Sequence, residues 1–112
     1  MLLTVAELPE YLRAAARLLA DADRRAIVDH LAAHPAAGDL IEGTGGVCKL
    51  RWARDGPGKS GGVRVVYCLH SEATPLYLLT MFAKNERANL SKAERNALAG
   101  LVDVLVQVWL ER

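Results

Sequence analysis

Cationic side chains are concentrated in the middle of this 112-residue chain, and they are the residues whose types and spacing could do chemistry. Residues 45–64 carry a net charge of +4, whereas residues 1–44 carry −3 and residues 65–112 carry zero. The cations of the middle segment are Lys49, Arg51, Arg54, Lys59 and Arg64. Such a patch attracts a polyanion although the chain as a whole has a net charge of only +1. The alternative interpretation is a solvated hairpin with ordinary surface lysines and arginines.

The alternation of residue types predicts that several of these cations share one face of a β-sheet. Lys49 and Arg51 are two residues apart in an alternating segment, so they point to the same side of one strand. Arg64 is the first outward residue of the next strand, and Lys84 closes a third strand with Phe82 on the same side. Because neighbouring strands lie about 5 Å apart, we expect these side chains to converge.

A cluster of cations beside one exposed aromatic ring suits a phosphodiester and a stacked base. Lys59 lies on the loop between the first two strands and could fold over the same face. RNA supplies its own nucleophile, because its 2′-OH can attack the adjacent phosphate, so a protein need only orient the attack and stabilise the phosphorane. No pair of His or Glu residues lines this face, and the chemistry would depend on cations and substrate positioning.

One near-match to a nucleotide-binding motif is rejected. Residues 53–60 (ARDGPGKS) come within one residue of the pattern G-x-x-x-x-G-K-[ST], with Ala53 in place of the first glycine. That pattern requires a helix after the loop, but the residues from Val63 onwards are β-branched and aromatic. Pro57 also removes an amide that would bind phosphate. The segment is predicted to be a hairpin loop, and nucleotide hydrolysis is not expected.

No cofactor is expected, and residues that bind metals are sparse. His30 and His34 are four residues apart and could share a helix face, but no obvious third ligand lies nearby. Surface histidines are therefore the better interpretation, and no metal site is predicted. Cys48 and Cys68 are too few for a disulfide framework and are predicted to be two buried thiols.

Hydrophobic periodicity predicts the elements that would position these residues. Residues 2–5 predict a short edge strand, and residues 9–19 predict a helix with a proline in its first turn. A second helix, capped by Asp21 or Asp23 and ending at His34, would complete a helical hairpin.

The rest of the chain predicts strands and then a last helix. Residues 47–52, 63–69 and 76–83 predict an antiparallel meander. The residues expected to pack under the helices are Leu50, Trp52, Val65, Tyr67 and Leu79. Ser91 and Glu94 form a capping box, from which a helix should run to about Trp109.

These elements predict an α+β fold in the order βααβββα, with helices packed on one face of a curved antiparallel sheet. At this length the chain is expected to form a single domain, residues 1–112. No apolar run approaches the roughly 20 residues of a membrane span, and the N-terminus lacks the basic flank of a secretory signal. A cytoplasmic protein with no membrane partner is predicted.

Three motifs in order resemble the RelE/HigB family of type II toxin–antitoxin toxins, within the RelE/ParE superfamily. They are residues 43–54 (GTGGVCKLRWAR), 58–67 (GKSGGVRVVY) and 82–86 (FAKNE). They look closest to a HigB-like branch with the patterns G-T-G-G-x-x-K, K-x-G-G-x-R-x-x-Y and Y-x-K-N-E. With the helix start at residues 90–94, the resemblance covers about residues 20–98.

The resemblance implies a RelE-like fold and a ribosome-dependent endoribonuclease, an mRNA interferase. Such a toxin cleaves mRNA in the ribosomal A site by metal-independent 2′-OH attack and so inhibits translation. The resemblance also implies neutralisation by a cognate antitoxin, often a helix-turn-helix protein through which the complex binds operator DNA.

The matching positions imply which residues would form the site. The expected catalytic residues are Lys49, Arg51, Arg64 and Lys84, of which Arg64 matches the strand arginine taken to grip the scissile phosphate. The expected RNA-binding residues are Arg54, Lys59, Phe82 and Asn85.

Several positions depart from the family pattern. RelE proper has Arg and Tyr where this chain has Asn85 and Ser91, and Phe82 stands where Tyr is frequent. Cys48 replaces a common basic residue, and Cys68 replaces a common Tyr. These changes leave the phosphate grip intact and the general acid and base unassigned. The alternative function is a non-nucleolytic toxin like the related ParE proteins, which trap DNA gyrase, or a module that binds only nucleic acid or an antitoxin.

The last helix carries more apolar surface than one packed face requires. Its predicted core stripe is Leu98, Leu101, Val102, Leu105, Val108 and Trp109. Val104, Val106 and Leu110 widen the stripe well beyond the roughly 100° that docking on one face needs. The excess predicts a second contact surface, for an antitoxin segment or a second copy, or else a frayed apolar C-terminus.

Overall fold

The computed structural model describes residues 3–71 and 73–111. These residues form three helices: α1 (Pro9–Leu18), α2 (Asp21–Ala33) and α3 (Lys92–Glu111). They also form five strands: β1 (Val5–Glu7), β2 (Asp39–Leu40), β3 (Val47–Trp52), β4 (Val63–Cys68) and β5 (Leu76–Ala83). The elements follow in the order β1-α1-α2-β2-β3-β4-β5-α3, which confirms the predicted α+β class.

The helical hairpin forms as its sequence predicts, except for one cap. Pro9 starts α1, since its fixed φ suits the first turn and its missing N–H is not needed there. Asp21 lies inside the first turn of α2, and the residue before the helix, Ala20, makes no side-chain cap. The prediction that Asp21 or Asp23 caps α2 is therefore wrong, although both carboxylates lie where the helix dipole favours negative charge. The helix α2 ends at Ala33, one residue before the predicted end at His34, which is its C-cap residue and precedes Pro35.

The strands form one sheet in the order β1-β5-β4-β3-β2. The antiparallel meander of β3, β4 and β5 is confirmed. The edge strand β1, however, pairs parallel to β5, with Val5 opposite Leu76. It begins later than predicted, and Leu2 lies outside the described residues. β2 was not predicted, because two exposed residues paired to β3 carry no periodic signal.

The two faces of the sheet are covered by different helices. The hairpin core lies between the sheet and α1–α2; it contains Tyr11, Ala15, Leu18, Ile27, Leu31, Leu50, Val63, Val65, Tyr67, Leu76, Leu78, Met81 and Ala83. The α3 core lies on the opposite face; it contains Val47, Val66, Cys68, Leu79, Phe82, Leu90, Leu98 and Val102. The expectation that all helices pack on one face is therefore wrong for α3.

A bulge in β5 reverses which residues face which helix. Val66 pairs with Thr80 and Tyr67 pairs with Leu78, so Leu79 is an extra residue in β5. The extra residue sends Leu79 into the α3 core, although strict alternation predicted it under the hairpin. Leu50, Val65 and Tyr67 do pack in the hairpin core, as predicted, and Trp52 packs against it.

The last helix is buried only around its middle. Leu98 and Val102 are its buried residues, whereas Val104, Val108 and Leu110 are 57%, 61% and 70% exposed. Val108 is therefore not in the core stripe, contrary to prediction, while Val106 packs partly against the α3 core. No helix in the described part of the chain is long and apolar enough to cross a membrane.

The phenol of Tyr67 ties the segment after α2 to the sheet. Its hydroxyl accepts a hydrogen bond from the Gly38 amide at 2.8 Å and donates one to the Pro35 carbonyl at 3.0 Å. A Cβ at position 38 would lie 2.7 Å from the phenol oxygen, so only glycine allows this close approach. Since Tyr67 is fully buried, both backbone groups would lose their partner without the hydroxyl.

We expect Tyr67→Phe to lower the free energy of unfolding by about 1–3 kcal/mol, because the partly buried Gly38 amide and Pro35 carbonyl lose their hydrogen-bond partner. Urea denaturation followed by circular dichroism measures this change. Tyr77→Phe is the control, because its half-buried hydroxyl makes no hydrogen bond with the described residues. Equal midpoints for the two variants would contradict the role given to Tyr67.

Candidate functional site

A tight turn before β3 sets the direction of the strand that carries Lys49 and Arg51. Gly43, Gly45 and Gly46 have φ values of 74°, 72° and 120°, a region that favours glycine. Between them Thr44 is buried, and its hydroxyl accepts a hydrogen bond from the Val47 amide at 3.2 Å and donates to the Ile41 carbonyl. The G-T-G-G motif therefore acts as a structural turn that leads into the first residue of β3.

The paired strands bring the predicted cations to the face that α3 also covers. Arg51 lies directly opposite Arg64 in the β3–β4 register, and Arg64 lies opposite Phe82 in the β4–β5 register. Lys49 lies two residue pairs further along on the same face, opposite Val66. We call Lys49, Arg51, Arg64 and Lys84 the basic surface. It lies beside the apolar contact of α3, at the end of the strands next to the 53–62 loop.

The 53–62 loop is a hairpin that returns directly into β4, which confirms the predicted hairpin loop. Gly62 has φ +64°, and a Cβ there would lie 2.2 Å from the Trp52 carbonyl oxygen, so the turn requires glycine. Arg64 donates to the Gly61 carbonyl at 2.8 Å, and the Lys84 side chain packs against Gly61. Lys59 is exposed on this loop.

The segment after β5 crosses the basic surface and contacts it repeatedly. We call residues 85–91 the strap. The Lys84 ammonium donates to the Ala88 carbonyl, and the Lys49 ammonium donates to Asn89 Oδ1 at 3.3 Å. Asn85 donates to the Gly58 carbonyl and so joins the strap to the hairpin loop. The strap thus contacts three elements that carry predicted site residues.

Arg87 fastens the strap to the start of α3 and to the sheet. Its guanidinium donates to the Glu94 carboxylate and, at 3.1 Å, to the Asn89 carbonyl. It also lies over the Phe82 ring, 5.1 Å from the ring centre. Phe82 is only 6% exposed, so the expectation of an exposed aromatic platform is wrong for this structure. Sequence analysis missed Arg87 and Asn89, because their partners lie on other elements.

Arg54 is the predicted RNA-binding residue that the structure does not bring to the basic surface. Its guanidinium donates to the Leu18 carbonyl at 3.1 Å, at the C-terminal end of α1. A cation is favourable there because the last carbonyls of a helix carry partial negative charge. Arg54 therefore joins the hairpin loop to the helices on the far side of the sheet.

The charge of the basic surface is not neutralised by other side chains. The ion pairs in the described part of the chain are Arg17–Glu86, Arg24–Glu7 and Arg87–Glu94, and none includes a residue of the basic surface. Like charges directly opposite on neighbouring strands, such as Arg51 and Arg64, are destabilising. A bound polyanion would remove that repulsion, which makes this surface suited to phosphate groups.

Three side chains of β4 and α3 have strongly shifted pKa values: Cys68 in the α3 core, Glu94 beside the strap, and Tyr67 in the hairpin core on the opposite face of the sheet. Burial raises the pKa of Cys68 to about 11 and that of Tyr67 to about 12, so neither ionises near neutral pH. The hydrogen bonds from Arg87 and the Ser91 amide lower the pKa of Glu94 to about 2, so this carboxylate cannot act as an acid. The arrangement can stabilise charge and orient a substrate, and it offers no paired acid and base.

The structure places the two cysteines on opposite faces of the sheet. Cys48 packs against the hairpin core, and Cys68 lies in the α3 core, and both are free thiols. Burial also raises the pKa of the Cys48 thiol. Among the described residues, no group of three or more His, Cys, Asp or Glu side chains is arranged to hold a metal ion.

Comparison with known proteins identifies the family. Residues 10–111 match the family model described as the RelE toxin of the RelE/RelB toxin–antitoxin system. The chain belongs to the RelE toxin family. A solved structure of Escherichia coli toxin RelE, a mutant with two arginines replaced by alanine in the free state, has a similar fold. It superposes with a TM-score of 0.58 at 16% identity, covering 91% of this chain and 98% of that one.

As a RelE family member, the protein is the toxin of a toxin–antitoxin system. The family model extends over the basic surface and the strap and through nearly all of α3. In this RelE toxin, therefore, the uncompensated cations, the strap and the partly exposed last helix all lie within the family-defining part of the chain.

The low pKa of Glu94 predicts how this region responds to acid. The folded-state pKa of about 2 lies below the value of about 4.3 for an unperturbed glutamate. The stabilisation is therefore present above about pH 4.3 and is lost as the pH falls towards 2. We expect a ¹³C NMR titration to show this low pKa directly.

Arg87→Ala should raise the pKa of Glu94 but leave it below 4.3, because the Ser91 amide still donates to the carboxylate at 2.9 Å. Lys92→Ala is the matched control, because it removes a neighbouring exposed cation whose side chain makes no hydrogen bond or ion pair among the described residues. It should leave the titration of Glu94 nearly unchanged. An ordinary pKa in the wild-type protein would refute this account.

Proposed function

We propose that this RelE family toxin is a ribosome-dependent endoribonuclease that cuts mRNA in the ribosomal A site. The observation that supports it most strongly is that Arg51 lies opposite Arg64, with Lys49 nearby, and that none of the three has a carboxylate partner within residues 3–71 and 73–111. A phosphodiester is the ligand that compensates such a surface. Translation would stop because the message is cut, and the protein would act in the cytoplasm, where ribosomes are.

In the proposed mechanism the RNA supplies the nucleophile. Its 2′-OH attacks the adjacent phosphorus, the bond to the 5′-oxygen of the next nucleotide breaks, and a 2′,3′-cyclic phosphate remains. Arg64, with Arg51 opposite it, is assigned to the phosphate oxygens, where it stabilises the charge of the phosphorane. Lys49 and Lys84 contribute further charge from either side, and no metal or cofactor takes part.

Proton transfer is not assigned to a side chain. The proton from the 2′-OH and the proton required by the departing 5′-oxygen would move through water or ribosomal groups, since the nearby Glu94 is ionised and bound to Arg87. Lys59 is exposed on the hairpin loop and is assigned to RNA binding, and Asn85 holds that loop in place. Phe82 supports the surface from beneath rather than stacking on a base.

A cognate antitoxin is the expected partner, and the exposed apolar part of α3 is the surface that we assign to it. Val104, Val108 and Leu110 are all more than half exposed on one helix, and such a stripe is typical of a protein contact. The G-T-G-G and F-A-K-N-E motifs favour a HigB-like branch, for which the antitoxin would be a helix-turn-helix protein that carries the complex to operator DNA.

The proposal predicts that induced wild-type protein arrests growth and creates new RNA 5′ ends inside translated codons. Arg64→Ala should lower cleavage by about 10²–10³-fold, the usual loss when one charge-stabilising donor is removed. Mapping RNA 5′ ends across the transcriptome after induction measures this loss. Arg13→Ala is the matched control, since Arg13 is an exposed arginine of α1 on the far side of the sheet.

Each outcome of that experiment has one meaning. Cuts within codons that disappear with Arg64→Ala and persist with Arg13→Ala support the nuclease. Growth arrest without new 5′ ends, together with a DNA-damage response, would favour the ParE-like alternative. Full cleavage by a folded Arg64→Ala protein would refute the assignment of the site.

A further inference from the structure

Three consecutive residues of the strap contact the start of α3 and two lysines of the basic surface. Arg87 is bound to Glu94, the Ala88 carbonyl accepts from Lys84, and the Asn89 side chain accepts from Lys49. The contact with Asn89 differs from the contact with Ala88, because it depends on the identity of a side chain. Asn89 is thus the strap residue whose side chain directly determines where a cation of the basic surface points.

The chemistry of the contact fixes the orientation of both groups. A lysine ammonium has three N–H donors and no acceptor, so the oxygen of the Asn89 amide must face it. One donor of Lys49 is used in this bond, and two remain for the oxygens of a phosphate. Lys49 can therefore keep its contact with Asn89 while it binds RNA.

Asn89 is itself held from two sides. Its backbone carbonyl accepts a hydrogen bond from Arg87, and Arg87 is fixed by Glu94 and by the Phe82 ring. Glu94 accepts from the Ser91 amide, and the Glu94 amide donates to the Ser91 hydroxyl, so the capping box of α3 anchors this network. The position of Asn89 is set by the sheet and by the start of α3 together.

We propose that Asn89 is a positioning residue for Lys49: by accepting one N–H of the ammonium it directs the remaining donors towards the substrate phosphate. This inference rests on the proposed nuclease function. A flexible lysine loses side-chain entropy when it is fixed in one conformation. Because Asn89 fixes Lys49 before RNA binds, the lysine side chain loses less conformational entropy when the transition state forms.

A double-mutant cycle tests whether Asn89 acts through Lys49. The measurement is single-turnover cleavage of mRNA on programmed ribosomes by the full-length protein. Asn89→Ala should lower the maximal rate about tenfold and change the half-saturating toxin concentration by less than about twofold, because the charge of the surface is unchanged. In a Lys49→Ala background, Asn89→Ala should cause no further loss.

Two controls separate positioning from folding. Asn96→Ala makes the same substitution at an exposed asparagine of α3 whose side chain makes no hydrogen bond among the described residues, and it should have no effect on the rate. Thermal unfolding of each variant shows that the fold is retained. If the Lys49→Ala rate falls below detection, NMR order parameters of the Lys49 side chain give a second measurement: Asn89→Ala should lower them, and Asn96→Ala should not.

The outcomes distinguish this inference from the function on which it rests. If Asn89→Ala lowers the rate equally with and without Lys49, or leaves Lys49 equally ordered, Asn89 does not act through Lys49 and the inference is overturned. A faster Asn89→Ala protein would also overturn it, since the strap would then obstruct the site. If the wild-type protein does not cleave mRNA on ribosomes, the proposed function fails, and this inference fails with it.

Discussion

The pairing of β3, β4 and β5 is the constraint on which the other features of this protein depend. Because side chains alternate along a strand, one register decides at once which residues enter the hairpin core and which face α3. A shift of one residue would bury Arg51 and Arg64 under the helical hairpin and expose Leu50 and Val65. The buried apolar residues of β3 and β4 therefore hold the cations on the outer face.

The face of the sheet that α3 covers has two parts. Towards one end of the strands, Val47, Cys68 and Leu79 pack with the middle of α3. Towards the other end lie the basic surface and the strap. The bulge at Leu79 makes this division possible, because it turns the Leu79 side chain towards α3. Phe82, three residues later, remains on the same face of the sheet, under Arg87.

The electrostatics of the site combine repulsion with local restraint. Arg51 and Arg64 lie opposite each other, and neither is paired with a carboxylate of the residues that the structure describes; their repulsion costs folding free energy that the apolar cores offset. The available carboxylate, Glu94, is instead committed to Arg87, where it fastens the strap. Neutral oxygens of the strap then contact the two lysines, so the lysines are oriented while their positive charge stays available for phosphate.

Local sequence signals were sufficient for the elements and for much of the site. Alternation in residues 47–52 placed Lys49 and Arg51 on one face, and the capping box placed the start of α3, because both signals depend on neighbours within a few residues. The predictions were wrong where a residue's position depends on contacts with residues distant in sequence. Leu79 changed face because of a bulge that is defined by its pairing with β4.

The sequence by itself determined the order of the elements other than β2, the hairpin loop at residues 53–62 and the concentration of positive charge around β3 and β4. Only the tertiary structure decided that α3 covers the same face as the cations, that Phe82 is buried and that Arg54 donates a hydrogen bond to the C-terminal end of α1. It also decided the roles of Arg87 and Asn89, whose partners lie on β3, β5 and α3. The physical reason is that periodicity and capping are local properties, whereas burial and charge pairing depend on which segments meet.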